Sequence, residues 1–287
     1  MLTLLAYLLL GLAIVAVWLP PLRGRWPVWP FPFLLACACG FAGGALSSAA
    51  LLALSVLAAL AHAARQADRT GVRGAAMLTA ALLALALALH RIPGFTPPLL
   101  LDALRLSADS TPFTLYARFD TGAAGLILLA SFCRRCESRA DWRALAPPTM
   151  LVAAATMLLV TGGSVLAGYV RFDPKLPSFT LVFLAVNLLF TCVAEEAFFR
   201  GLIQHRLAVA LAGRAGAAYL PVLASSVLFG AAHAGGGLHY ALIATLAGIG
   251  YGIAYARTRR IEAAVLVHFA VNALHFLLFS YPRLGGP

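Results

Sequence analysis

The chain has 287 residues, of which 62% are hydrophobic and only 11% are charged. Soluble domains carry about 25% charged residues, so this composition excludes a soluble globular fold and indicates a polytopic membrane protein. The formal net charge is +11, but the arginines cluster in short segments between apolar runs, as in cytoplasmic loops, and no basic stripe interleaved with aromatic residues predicts nucleic-acid binding.

The first apolar runs predict spans that are separated by basic segments. Residues 2–20 predict a retained helix, because no basic residue precedes them and no small-residue cleavage site follows. Residues 31–62 exceed the ~20 residues that one crossing needs but are short for two, so they predict one long or broken helix. A third span is predicted at residues 74–90, after the basic segment 65–73.

Residues 91–120 are the one long stretch of mixed polarity. Five prolines and glycines interrupt it around the apolar patch 99–104. Such proline density argues against a spanning helix and predicts a loop with a short interfacial segment. A short span follows at 121–133, and then a lone Cys133-x-x-Cys136. No second Cys or His pair lies nearby, so this spacing is interpreted as incidental rather than as a zinc site.

The rest of the chain predicts five more spans, which brings the count to nine, or to eight if residues 31–62 or 121–133 are re-entrant. The predicted fold is therefore an all-α, polytopic transmembrane helical bundle. Within one continuous membrane domain, residues 1–147 supply N-terminal helices with a Pro-rich loop, and residues 148–287 supply the remaining helices. The five spans that are predicted after residue 133 are 148–170, 178–206, 217–233, 238–256 and 263–279.

Two adjacent carboxylates and an arginine, Glu195, Glu196 and Arg200, interrupt the span at 178–206. A charge near the middle of a membrane helix costs roughly 2.5 to 3.5 kcal/mol, so such residues usually pair, face a wet cavity or do chemistry. Glu196 and Arg200 are four apart in the favourable order for a pair on one helix face. Glu195 lies about 100° round an α-helix from its neighbour, so we expect it to point into a cavity.

Two further polar groups follow on later spans. Phe229 and His233 are four apart, with His233 directly before a glycine-rich turn, and His268 and Asn272 are four apart on the last span. An imidazole and a carboxamide on one face can hold a substrate carbonyl oxygen between them. Each histidine taken alone more often bonds a neighbouring membrane helix than catalyses. The three groups together are much more specific than any one of them.

Taken in order, EExxxR, FxxxH and HxxxN resemble the intramembrane CAAX-protease and bacteriocin-processing family, also called Abi, over residues 179–279. This resemblance implies an all-α bundle of about eight helices with the active site in a water-filled intramembrane cavity, and it implies that residues 148–287 form the catalytic core. The implied activity is endoproteolysis of a membrane-associated protein or peptide within the lipid bilayer. Plasma-membrane localisation is expected, and the arginine-rich loops place the site toward the cytoplasmic half.

The resemblance also implies roles for individual residues. Glu195 is the general base that activates water with help from His233, and His268 and Asn272 stabilise the oxyanion. Glu196 and Arg200 are supporting residues. The side chains expected to contact the substrate are Phe199 and Phe229.

Three alternatives accompany this hypothesis. A zinc enzyme would use Glu195, His233 and His268 as ligands with an open fourth position, although no HExxH is present and family members are thought to be glutamic proteases, so no cofactor is expected. A transporter would use the acids as a proton relay and ordinarily shows inverted repeats, which the sequence lacks. An immunity scaffold would have lost catalytic residues, whereas every motif residue is present.

Overall fold

Helices dominate the computed structural model, which describes residues 1–285. Two of the helices are long, Arg139–Leu166 with 28 residues and Thr180–Ala210 with 31. One pair of short strands lies in the Pro-rich region. The elements are α1 (Leu2–Ala16), α2 (Pro30–Ala42), α3 (Ser48–Gln66), α4 (Thr70–Ala88), β1 (Leu99–Leu104), β2 (Phe113–Tyr116), α5 (Phe119–Phe132), α6 (Arg139–Leu166), α7 (Thr180–Ala210), α8 (Leu220–Ala232), α9 (Leu238–Thr258) and α10 (Ile261–Leu278).

Six of these helices are long and apolar enough to cross a membrane: α3, α4, α6, α7, α9 and α10. Four shorter apolar helices of 10–17 residues, α1, α2, α5 and α8, accompany them in the described part of the chain. The prediction of an integral, mostly helical membrane protein is therefore confirmed. The count of eight to nine spans is not confirmed, because a crossing needs about 20 residues and the shorter helices fall below that length.

The apolar run 31–62 is broken into α2 and α3 rather than forming one long helix. The break lies at Gly43 and Gly44, and each glycine has a structural reason to be there. Gly44 has a φ of +74°, and a Cβ on Gly43 would lie 2.9 Å from the backbone nitrogen of Thr3. After this turn the Ser47 hydroxyl accepts a hydrogen bond from the Ala50 N–H and caps α3.

The Pro-rich region contains a two-stranded sheet of β1 and β2, which the all-α prediction did not include. Proline removes a backbone donor and fixes φ, so Pro97, Pro98 and Pro112 keep these residues out of a helix. Pairing of the strands satisfies the backbone groups that a helix would otherwise have paired. The predicted interfacial patch coincides with β1, in which Leu99, Leu100 and Leu104 are exposed.

The chain divides into two compact units. The first consists of Met1–Leu99, Tyr116–Cys133 and Leu189–Phe198. In it, α1 packs against α2 and α5, and α3 packs against α4 and α5. The Tyr7 ring meets the rings of Phe119 and Phe190 edge-on, with centroids 5.6 and 6.1 Å apart. This aromatic cluster forms part of the core of the first unit.

The second unit consists of Leu100–Leu115, Arg134–Leu188 and the chain from Phe199 onward. Helix α9 packs against α6, α8 and α10, and α6 packs against α10. The start of α10 is fixed because Glu262 accepts a hydrogen bond from the Cys136 N–H at 2.7 Å and the Ile261 N–H donates to the Arg134 carbonyl. Burial, reinforced by the Glu262 charge, raises the pKa of Cys136 to about 12.

Candidate active site

The acidic pair lies on α7 in an unusual backbone context. Glu195 and Glu196 end a short α-helical segment, Val193–Glu196, that is flanked by the π-helical segments Asn187–Cys192 and Ala197–Gln204. A π-helix bonds residue i to i+5, is rare, and occurs often at functional sites. Because Arg200 lies inside the second π segment, the four-residue spacing from Glu196 does not have the α-helical geometry that the sequence analysis assumed. The pairing of these two residues stays a prediction.

Helix α5 approaches the acidic turn closely within the first unit. A Cβ on Gly125 would lie 2.5 Å from the Ala194 Cα, so only glycine allows this approach. Glu196 is fully buried, and Glu195 is half-buried. The turn that carries the two carboxylates is therefore held against α5 by direct backbone contact.

Arg200 and Gln204, one turn further along α7, bind α9 through its backbone within the second unit. The Arg200 Nη2 donates to the Gly248 carbonyl at 2.9 Å, and the Gln204 Nε2 donates to the Gly252 carbonyl at 2.8 Å. Both side chains are buried. A Cβ on Gly252 would lie 2.9 Å from the Gln204 Oε1, so the glycine leaves room for the carboxamide. Two long polar side chains thereby dock α7 on α9.

The guanidinium of Arg200 also lies among aromatic rings. Its Cζ is 4.7 Å from the Phe229 ring centroid and 5.3 Å from that of Tyr251. Such cation–π contacts contribute about 2 kcal/mol or more when desolvated. Phe199 packs edge-on against Phe229 with centroids 5.1 Å apart, and both rings are buried. These two phenylalanines therefore pack around the arginine, while their expected contact with substrate stays a prediction.

His233 caps the C-terminus of α8, as its position before the glycine turn predicted. Its Nδ1 lies 2.7 Å from the Phe229 carbonyl oxygen. A carbonyl oxygen accepts only, so Nδ1 carries the proton, and in the neutral ring Nε2 is the acceptor nitrogen. The imidazole also contacts the Phe229 ring, with centroids 4.5 Å apart. This arrangement suits the ring to receive a proton at Nε2.

His268 and Asn272 both lie on α10, and each meets a residue that the sequence analysis did not single out. The His268 imidazole is buried and stacks on Tyr251, with centroids 4.4 Å apart and ring planes 13° apart. The Asn272 Nδ2 donates to the Asn187 Oδ1 at 3.3 Å. The sequence signals for these two partner residues are weak: Asn187 is a lone carboxamide in an apolar run, and Tyr251 is a large ring between two glycines.

The second unit thus brings together five of the predicted site residues around Phe229 and Tyr251. They are Phe199, Arg200, Phe229, His233 and His268. Asn272 joins Asn187 in the same unit, whereas Glu195 and Glu196 belong to the first unit. Among residues 1–285, no three His, Cys, Asp or Glu side chains form a group that could hold a metal ion.

Comparison with known proteins agrees with the motif resemblance. Residues 177–274 match the family model described as type II CAAX prenyl endopeptidase Rce1-like, and this segment contains all three motifs. Searches of curated proteins and of solved structures find no match. The match supports a CAAX-protease type of peptide hydrolase in a lipid environment.

Proposed function

We propose that this chain, whose residues 177–274 form an Rce1-like domain, is an intramembrane endopeptidase that cleaves a membrane-associated protein or peptide. One observation carries the proposal: the matched segment holds the acidic pair, both histidines and the asparagine in the family's order. The six long apolar helices supply the membrane setting in which such a substrate is met.

In the proposed mechanism Glu195 is the general base. Its carboxylate takes a proton from water, and the resulting hydroxide attacks the scissile carbonyl carbon. His233 assists by orienting this water, and its Nδ1 hydrogen bond to the Phe229 carbonyl supports the role because it leaves Nε2 as the acceptor nitrogen. Protonated Glu195 then returns the proton to the leaving amine.

His268 and Asn272 are the proposed donors to the oxyanion that forms when the carbonyl is attacked. Donors of this kind act mainly in the transition state, and loss of one typically costs about 100- to 1,000-fold in kcat. The burial of His268 supports the role, because a hydrogen bond to a developing charge is stronger where water is excluded. Glu196 and Arg200 hold this part of α7 in place.

The first test replaces Glu195 with glutamine, which keeps the shape of the side chain and removes the base. We expect Glu195→Gln to lose cleavage of a fluorogenic farnesylated peptide with a CAAX C-terminus, while expression and thermal stability in detergent stay close to wild type. Glu137→Gln, an exposed site on the same chain, is the matched control and should retain activity. Wild-type turnover by Glu195→Gln contradicts the glutamic mechanism.

The second test separates this chemistry from the zinc alternative. A zinc enzyme loses its metal to a strong chelator, whereas a glutamic enzyme does not depend on metal. We therefore expect peptide cleavage to survive exhaustive dialysis against a chelator. Activity that disappears and returns only with added zinc, together with about one zinc per chain by elemental analysis, would identify Glu195, His233 and His268 as ligands.

A further inference from the structure

We propose that Tyr251 is a positioning residue that fixes the His268 imidazole and connects it to Arg200. Tyr251 lies outside the three motifs, on α9, and its side chain is almost completely buried at 2% exposure. Like Phe229 of the second motif, it contacts both the arginine of the first motif and the histidine of the third motif.

The ring geometry restricts His268 from two directions. Tyr251 covers one face of the imidazole in a near-parallel stack, with ring planes 13° apart. Phe229 meets the same imidazole edge-on at 5.7 Å and 86°. Rotation of the His268 ring about its Cβ–Cγ bond would drive its edge into one of these two rings. The direction of its N–H groups is therefore set by packing.

Tyr251 is itself held by α7. The Arg200 guanidinium lies 5.3 Å from the Tyr251 centroid. The carbonyls of Gly248 and Gly252, which flank Tyr251 on α9, accept the hydrogen bonds from Arg200 and Gln204. This turn of α9 is thus fixed to α7 at two points, one on each side of Tyr251 in the sequence. Arg200 consequently supports His268 through Tyr251.

The catalytic consequence rests on the proposed function, because it requires His268 to donate a hydrogen bond to the oxyanion. A donor rotated away from its place loses transition-state stabilisation but leaves substrate binding largely intact. Misplacement of a catalytic group by about 1 Å can cost about 100-fold in rate. Loss of the Tyr251 ring should therefore lower kcat rather than raise KM.

Three variants test this on the full chain in detergent with the farnesylated peptide. Tyr251→Phe keeps the stacked ring, Tyr251→Leu removes it, and Tyr255→Leu, at an equally buried tyrosine one turn along α9, is the matched control. We expect Tyr251→Leu to lower kcat about 10- to 100-fold with little change in KM. Tyr251→Phe, which keeps the ring, should retain clearly more turnover than Tyr251→Leu. Equal losses of kcat in Tyr251→Leu and Tyr255→Leu would overturn the proposal.

A second readout does not depend on activity. In ¹³C-histidine-labelled protein the His268 ring protons, assigned by comparison with His268→Gln among the seven histidines, should be shifted upfield by the Tyr251 ring. Tyr251→Leu should abolish that shift, whereas Tyr251→Phe and Tyr255→Leu should preserve it. An unchanged His268 signal in Tyr251→Leu overturns the positioning role, even where the peptide is cleaved. An intact stack in a wild-type protein that cleaves nothing supports the positioning and counts against the proposed function alone.

Discussion

Asp173, in the loop between α6 and α7, illustrates how a single side chain couples this fold to pH. The nearby Ser107 hydroxyl holds the pKa of its carboxyl below the usual value, and the Lys175 ammonium, 3.4 Å away, acts in the same direction. A carboxylate with a lowered pKa stabilises the fold above its unfolded pKa of about 3.9 and loses that contribution as pH falls through the folded pKa.

We therefore expect Asp173→Asn to lower the thermal unfolding temperature at pH 7 and to lose most of that difference from wild type as the pH falls below about 4. The measurement is thermal unfolding in detergent across this pH range. Asp102→Asn, at an exposed carboxylate on β1, is the control and should unfold as wild type does throughout. A difference that persists unchanged at acid pH would show that Asp173 acts by packing rather than by its charge.

The helices that carry the motif residues could be predicted from the sequence, but the residues that these side chains contact could not. The position of His233 at the end of α8 could be predicted because a glycine-rich turn follows it. The stack of His268 on Tyr251 could not, since it joins two helices and no local pattern encodes it. The spacing from Glu196 to Arg200 was expected to be α-helical, but Arg200 lies in a π-helical segment. Local spacing thus predicts position, while tertiary packing decides geometry.

At the scale of the helix pair, Gly250 sets how closely α9 approaches α6. A Cβ at this position would lie 2.1 Å from the Thr156 Oγ1 and 2.5 Å from its Cγ2, distances that side chains do not tolerate. Overpacking of a tight interface typically costs about 1 to 3 kcal/mol. We expect Gly250→Ala to destabilise the protein by that amount, measured as a lower thermal unfolding temperature in detergent.

Thr156→Ala should restore much of this loss in the double variant, because it removes the two atoms that lie closest to the added methyl group. Gly163→Ala on α6 is the matched control, since a Cβ there meets nothing within 4 Å. It should leave stability unchanged or raise it slightly, because alanine has the higher helix propensity. Equal effects of the two alanines would indicate that propensity, and not the close approach, explains the result.

Helix positions were the most predictable elements, because long apolar runs must satisfy their backbone hydrogen bonds internally. The predicted spans at 238–256 and 263–279 correspond closely to α9 and α10. The boundary between α2 and α3 was less predictable, since it depends on the contact of Gly43 with Thr3 forty residues away. The strands in the Pro-rich region were missed for a similar reason: their backbone pairing is between segments, not within one.

At the scale of the whole molecule, charged residues of the second unit lie at both ends of α10. At its start the Arg260 Nη2 binds the Asp141 carboxylate at 2.6 Å, beside the backbone of Arg134 and Arg135. At its end the Leu278 carbonyl accepts a hydrogen bond from the Asp173 N–H. The helix has 18 residues and spans about 27 Å, close to the ~30 Å hydrocarbon core of a bilayer. The helix is therefore long enough for the arginine-rich end and the Asp173 end to lie near opposite membrane surfaces.

Positive segments stay on the cytoplasmic side, so we propose that the arginine-rich end of this unit is cytoplasmic. The buried Arg200 then lies near the middle of the membrane and Gln204 lies toward that side, because Gly248 is at the centre of α9 and Gly252 is in the half that ends near Arg257. Labelling of one added cysteine with a membrane-impermeant maleimide tests this orientation. We expect Ala108→Cys, exposed beside Asp109, to react in intact spheroplasts. The Asp109 carboxylate binds the Arg171 guanidinium at 2.7 Å, and Arg171 is two residues before Asp173. The segment that contains Ala108 therefore lies at the Asp173 end.

Arg257→Cys, exposed at the opposite end, should react only after permeabilisation. The unsubstituted chain gives the background from the five native cysteines, of which three are buried and two half-buried. Labelling of both variants in permeabilised membranes shows that each thiol is accessible. The reverse pattern in intact spheroplasts would put the arginine-rich loops outside, against the positive-inside rule. It would also exchange the membrane surfaces toward which the two ends of α9 and α10 point.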